Sequence, residues 1–166
     1  MGLPTWRRRM DAIDRRILDT LQRHGRTTNV ELARANDLAP SSMLDRVRRL
    51  EDRGVIQGYR AVLDPEKLGY HVAAMVMINL DRHQTKGIDT FEAGVAAIPE
   101  VKACYHVTGQ YDYILHLAAR DIDHLSELVK HRLGALGGVE KQETFLVLST
   151  VKEDRGYALE PLDPQR

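Results

Sequence analysis

Between Val72 and Val151 the sequence switches back and forth between strand-like and helix-like hydrophobic patterns, and few folds satisfy that alternation. Val72 to Leu80 is a continuous apolar, β-prone run, after which Ile88, Phe91, Val95 and Ile98 recur at helical spacing until Pro99 stops them. Val101 to Val107 reads as a strand, Thr108-Gly109-Gln110-Tyr111 as a turn, and Asp112 to Ala119 as a further strand. Asp121 or Asp123 caps a helix whose buried face is Leu125, Leu128, Val129 and Leu133; Gly137-Gly138 breaks it before a last strand, Gln142 to Val151. The order β-α-β-β-α-β predicts a ferredoxin-like domain, two helices covering one face of a four-stranded antiparallel sheet. Both central strands are apolar on both faces (Ala74 to Ile78; Ile114, Leu115, Leu117), and no element is left to hide the second face. A second copy of the chain is the expected cover, so a homodimer is the expected state.

The rest of the 166 residues is too short for a second large domain and reads as a small helical one. Net charge is zero, yet residues 1–60 carry thirteen arginines against eight acidic residues, and residues 61–166 reverse that excess of five. All the cations of the first part are arginine, the side chain best suited to forked contacts with phosphate and guanine. Ile13, Ile17, Leu18 and Leu21 form one helical stripe ending near His24-Gly25. Thr28 and Glu31 have capping-box spacing and open a short second helix, Asn36-Asp37 interrupts it, and Pro40 is well placed to begin a third that stops before Gly54. On that third helix Met43, Leu44, Val47 and Leu50 share one side; Ser41, Ser42, Asp45 and Arg49 lie opposite, flanked by Arg46, Arg48 and Arg53. A capped short helix, a four-residue break and an arginine-faced helix make the layout of a helix-turn-helix, whose second helix enters a major groove about 12 Å wide. Double-stranded DNA is the expected partner. Arg46 and Arg49 are the leading candidates for base or phosphate contacts, with Arg48; small Ser41 and Ser42 let the helix end come close to the duplex. Arg7, Arg8, Arg9 and Arg34 are candidates for non-specific phosphate attraction. The competing reading of this part is a three-helix bundle with a charged exterior.

Taken together, Asp14-Arg15-Arg16-Ile17-Leu18, Gly25-Arg26-Thr27, Val47-Arg48-Arg49-Leu50-Glu51, Gly54 through Pro65, Val107 through Tyr113 and Val151-Lys152 resemble the Lrp/AsnC (feast/famine) family of regulators. The resemblance spans nearly all of residues 11–152, in order and spacing. It implies an α+β chain: a basic arm (1–10), a winged helix-turn-helix (11–54), an extended linker strand (55–68), a ferredoxin-like ligand-binding and oligomerisation domain (69–152) and a C-terminal tail (153–166). It also implies a DNA-binding transcriptional regulator, cytoplasmic, whose dimers join through both domains and assemble further, often to octamers. A free amino acid would bind where dimers meet. The residues so implicated are His106, Thr108, Gly109, Gln110, Tyr111 and Asp112, with Glu140, Gln142 and Thr144 at the start of the last strand. The chemistry agrees in part: a glycine turn offers N–H donors to a ligand carboxylate, and Asp112 an acceptor to its ammonium. The plainer alternative has Gly109 merely turning a hairpin and Asp112 capping it. Three residues depart from the family pattern: Asp37 where a glycine is usual, Ala39 where a serine caps the helix, and Asp45 where a cation is frequent, which would pair with Arg49 or accept from a cytosine amine.

Other chemistries find little support. No apolar run approaches the ~18–20 residues that span a bilayer, and Met1 to Met10 has arginines with no apolar stretch behind them, so neither a membrane anchor nor a secretory signal is expected. Cys104 is alone, which excludes an internal disulfide, and reads as a small buried strand residue. The seven histidines lack zinc-site spacing; no metal or resident cofactor is expected. No phosphate loop, nucleophile elbow or catalytic carboxylate pair is present, so the chain is not read as an enzyme. The alternative from another class, a ferredoxin-like small-molecule binder or enzyme with a helical oligomerisation arm, predicts indifference to duplex DNA.

Overall fold

The computed structural model describes residues 10–81 and 87–159, which form two compact units. One contains residues 10–62 with 152–159, the other residues 63–151.

The helical unit consists of α1 (Ala12–Arg23), α2 (Asn29–Ala35) and α3 (Pro40–Asp52). Asp11 caps α1 by accepting the Asp14 N–H. Thr28 and Glu31 close a reciprocal capping box on α2, which holds the Glu31 carboxyl below its ordinary value through hydrogen bonds from the Thr28 N–H and hydroxyl. Asp37 makes the turn between α2 and α3 with φ of 52°, a left-handed conformation that aspartate tolerates better than most residues. Ala39 precedes Pro40 without any side-chain cap. Ile17, Leu18, Leu32, Ala33, Met43, Val47 and Leu50 are buried together, one stripe from each helix, and Leu44 is only half-buried.

One expectation, the linker strand, needs correction. Residues 55–68 contain no strand: Val55 to Asp64 is unpaired, Tyr59 donates its hydroxyl back to Glu51 on α3, and one 3-10 turn follows at Glu66–Leu68. An extended segment becomes a strand only beside another, and none among the described residues pairs with it. The C-terminal tail is held against the helical unit as far as Leu159. The Gln22 side chain accepts from the Tyr157 N–H (2.7 Å) and donates to the Tyr157 carbonyl (3.1 Å), while Leu159 packs on the helical core.

The second unit is the β-α-β-β-α-β arrangement: β1 (Val72–Leu80), α4 (Gly87–Ala96), β2 (Val101–His106), β3 (Tyr113–Ala119), α5 (Ile122–Glu127) and β4 (Val139–Leu146). Asp121 caps α5, and the helix continues as a wider turn, Leu128–Leu133, closed by the Gly134 N–H on the Val129 carbonyl. The sheet order is β2-β3-β1-β4, all antiparallel. Alternate residues of β1 and β3 (Val76, Ile78, Tyr113, Leu115, Leu117) are buried with Phe91, Val95, Leu125, Leu128 and Leu133 from the helical segments. β4 begins three residues earlier than expected and stops at Leu146. Gly138, at φ of 88°, breaks the chain immediately before it, and β1 offers no partner beyond the Ala73 carbonyl, which takes the Val147 N–H. Cys104 is exposed rather than buried because β2 is an edge strand.

The opposite sheet face carries Met75, Met77, Ile114 and His116, half-buried, with Tyr105 58% and Phe145 49% exposed in the single chain. No helix among the described residues is long and apolar enough to cross a membrane.

Candidate nucleic-acid interface and effector site

At 100° per residue, α3 turns Met43, Val47 and Leu50 into the core and leaves Ser41, Ser42, Asp45, Arg48 and Arg49 exposed on one broad face. Arg34 on α2 is exposed as well. Arg7, Arg8 and Arg9 lie outside the described residues. No ion pair joins Asp45 to Arg49 among the described residues, which leaves Arg49 directed at solvent.

Arg46 departs from the sequence expectation. Its guanidinium turns inward, donating to Asp11 Oδ2 (2.6 Å) and Asp14 Oδ1 (2.8 Å), with only 22% of the Arg46 side chain and 12% of that of Asp14 exposed. At this position, one residue before buried Val47, the side chain borders the core and reaches the start of α1. Burial pushes the Asp11 carboxyl up, but the Asp14 N–H and the Arg46 guanidinium outweigh it and hold Asp11 below its ordinary value. The bond to Asp11 raises Arg46, burial opposes that, and Asp14 adds to the rise.

In the second unit the loop from Thr108 to Asp112 closes the β2–β3 hairpin beside the end of β1. Gly109 takes φ of 132°, and a Cβ there would meet nothing within 4 Å, so the backbone conformation rather than space favours glycine. Asp112 is locked from three sides: its carbonyl accepts the Val107 N–H, its N–H donates to the Ile78 carbonyl, and its Oδ2 accepts the Leu80 N–H at 2.9 Å. The carboxylate thus ties the loop to the end of β1 rather than capping the β2–β3 turn, and it uses one oxygen to do so. Asn79 donates to the Gln110 carbonyl (3.0 Å), while its Oδ1 is buried without a partner. Tyr111 donates to Glu143 Oε2 at 2.8 Å, a bond that raises the Tyr111 phenol; Lys141 and Tyr111 together hold Glu143 below its ordinary value.

The nine expected effector residues do not all converge in one chain. Thr108 to Asp112 are contiguous. His106 sits on the β2 edge, its ring stacked on Tyr113 at 4.7 Å, and lines a separate groove of about 420 Å³ with Glu92 and Cys104. Glu140, Gln142 and Thr144 belong to β4, the opposite edge, where Gln142 donates to the Val129 carbonyl (3.2 Å). Asn79 and Glu143 escaped the sequence reading, although Asn79 is the lone polar residue in the run Val72 to Leu80. Among the described residues no three His, Cys, Asp or Glu side chains are placed to hold a metal ion.

Comparison with known proteins follows the same division. Residues 10–57 match the model described as winged helix-turn-helix DNA-binding, and residues 73–157 the one described as Lrp/AsnC ligand binding domain. Leucine-responsive regulatory proteins of Haemophilus influenzae and Salmonella typhimurium are 38% and 39% identical over 144 residues, 87% of this chain and 87% and 88% of theirs. A transcriptional regulator of Neisseria meningitidis, solved as a complex with L-Met, superimposes with a TM-score of 0.87 at 33% identity, covering 91% of this chain and 97% of that one. Escherichia coli AsnC gives 0.81 at 28% identity, covering 88% and 97%. With both halves matched in order and relatives alike over their length, the chain belongs to the Lrp/AsnC family of transcriptional regulators.

Proposed function

We propose that α3 enters the major groove of double-stranded DNA through Ser41, Ser42, Asp45, Arg48 and Arg49, with Arg34 on neighbouring phosphate. The observation that carries this reading is the exposed Arg48–Arg49 side of a helix whose other side is held in a core. Arg49→Ala is expected to weaken specific DNA binding by ~1–3 kcal/mol with the fold intact. Gel-shift affinity equal to wild type would remove Arg49 from the interface.

The second unit binds a small effector, a free amino acid, around Thr108 to Asp112. Its support is the Asp112 carboxylate, fixed by Leu80 yet with an oxygen to spare, beside a glycine turn, together with the L-Met complex of the Neisseria relative. Expected contributors from both sheet edges fit best if a neighbouring copy completes the site, which accords with dimers assembling further, to an octamer or similar. No turnover and no resident cofactor belong to this reading, and a lone exposed cysteine suits the reducing cytoplasm. Asp112→Asn keeps an acceptor for the Leu80 N–H but removes the charge. Its expected outcome is loss of the amino acid's effect on thermal stability, assembly or DNA affinity, with DNA binding itself unchanged. Screening the twenty amino acids by thermal shift, on wild type and variant, reads this directly; an undiminished response in the variant counts against Asp112.

A further inference from the structure

We propose that Arg46 is a positioning residue for DNA recognition, tying the middle of α3 to the start of α1 so that Arg48 and Arg49 face the duplex at a fixed angle. The inference rests on the reading of α3 as the DNA-facing helix.

Apolar packing sets that angle only coarsely. Ile17 and Leu18 of α1 are buried with Met43, Val47 and Leu50 of α3, and interdigitated side chains of this kind fix a helix crossing only within about 15–20°. Charge-assisted hydrogen bonds are short and directional, so they supply what the apolar stripe lacks. Arg46 makes two, 2.6 Å to Asp11 and 2.8 Å to Asp14, across 35 and 32 residues of sequence. Asp11 divides its oxygens between tasks: Oδ1 caps α1 through the Asp14 N–H at 2.8 Å, and Oδ2 takes the guanidinium. The capped end of α1 is therefore the anchor, and α3 is the part held. Facing two carboxylates, Arg46 adds no net positive charge at this spot and supplies no phosphate attraction. The two residues after Val47 carry that role.

A contact residue and a positioning residue differ in their salt dependence. Each phosphate neutralised contributes about 0.9 to the slope of log affinity against log salt, and removing a positioning residue leaves that slope unchanged. The full-length protein is used, with a duplex it has itself selected from a random-sequence pool. Asp11→Asn is the mild variant, because asparagine caps helices as well as aspartate and only the charge facing Arg46 is lost. Arg46→Gln is the second, and the two are combined. Circular dichroism melts report whether each remains folded.

Asp11→Asn and Arg46→Gln are each expected to weaken binding on the order of tenfold. The double variant should be no worse than the weaker single, and all should retain the wild-type salt slope, whereas Arg34→Ala, at the proposed phosphate contact, flattens it. A flattened slope for Arg46→Gln would make Arg46 a phosphate contact and overturn the proposal. Wild-type binding by folded Asp11→Asn would overturn it too, leaving Arg46 to the fold alone, even if Arg46→Gln unfolds. Failure of the wild-type protein to select any duplex is a different result: it removes the reading of α3 on which the proposal stands, and the proposal with it.

Discussion

Met77→Asp is expected to weaken self-association by two orders of magnitude or more while leaving the chain folded. Met77 lies on β1, in register with Ile114 on one side and Glu143 on the other, on the sheet face away from the helices. The surface around it is unusually apolar for solvent, with Met75, Tyr105, Ile114 and Phe145 within the same face. We propose that a second copy covers this face, so that a carboxylate at its centre is desolvated without a partner, at a cost on the order of 3–5 kcal/mol per buried charge. Glu143 nearby adds repulsion. The helix-side core is untouched, so circular dichroism should not change. Sedimentation velocity over a dilution series reads the outcome; a variant as firmly associated as wild type would mean that the face is covered by something other than a second copy.

Phe91→Ala is expected to cost ~3–5 kcal/mol, the usual range for emptying a buried aromatic site. Phe91 is fully buried, its ring 4.8 Å from that of Tyr113 at an interplanar angle of 51°. Tyr113 in turn donates to Glu92 at 2.7 Å, and burial together with that bond drives its phenol well above the ordinary value. Removing Phe91 leaves a void under a hydrogen bond that the same helix supplies, so the site collapses poorly. The helical unit has a separate core that shares no residue with this one. Hydrogen exchange should therefore show β1 and β3 amides losing protection with α1 to α3 nearly unaffected. Equal loss in both units, or less than about 1 kcal/mol in total, would contradict two independent cores.

What was legible in the sequence is what local chemistry decides. The capping box of Thr28 and Glu31, Asp37 in the interhelical turn, Pro40 at a helix start and the alternating second half all took the expected form, because each depends on residues a few positions apart. The misreadings share a cause in distance. Arg46 flanks both faces of its helix, and the carboxylates that decide between them stand more than thirty residues away. Residues 55–63 carry strand-forming side chains, but pairing is a property of two segments, and here one chain offers only one. β4 ends where β1 runs out, and Cys104 is exposed because its strand is outermost; neither follows from composition. Among effector candidates the contiguous loop was readable, whereas the separation of His106 and Thr144 to opposite edges required the strand order.

The grip of Gln22 on Tyr157 makes the helical unit discontinuous in sequence, with the regulatory unit inserted between its parts. On the ribosome the stretch that completes the helical unit is therefore the last described part to emerge, after all of residues 63–151. The sensor half is finished before the DNA-facing half has received its final piece, so a nascent chain acquires its full helical unit only once the whole regulatory apparatus has been made.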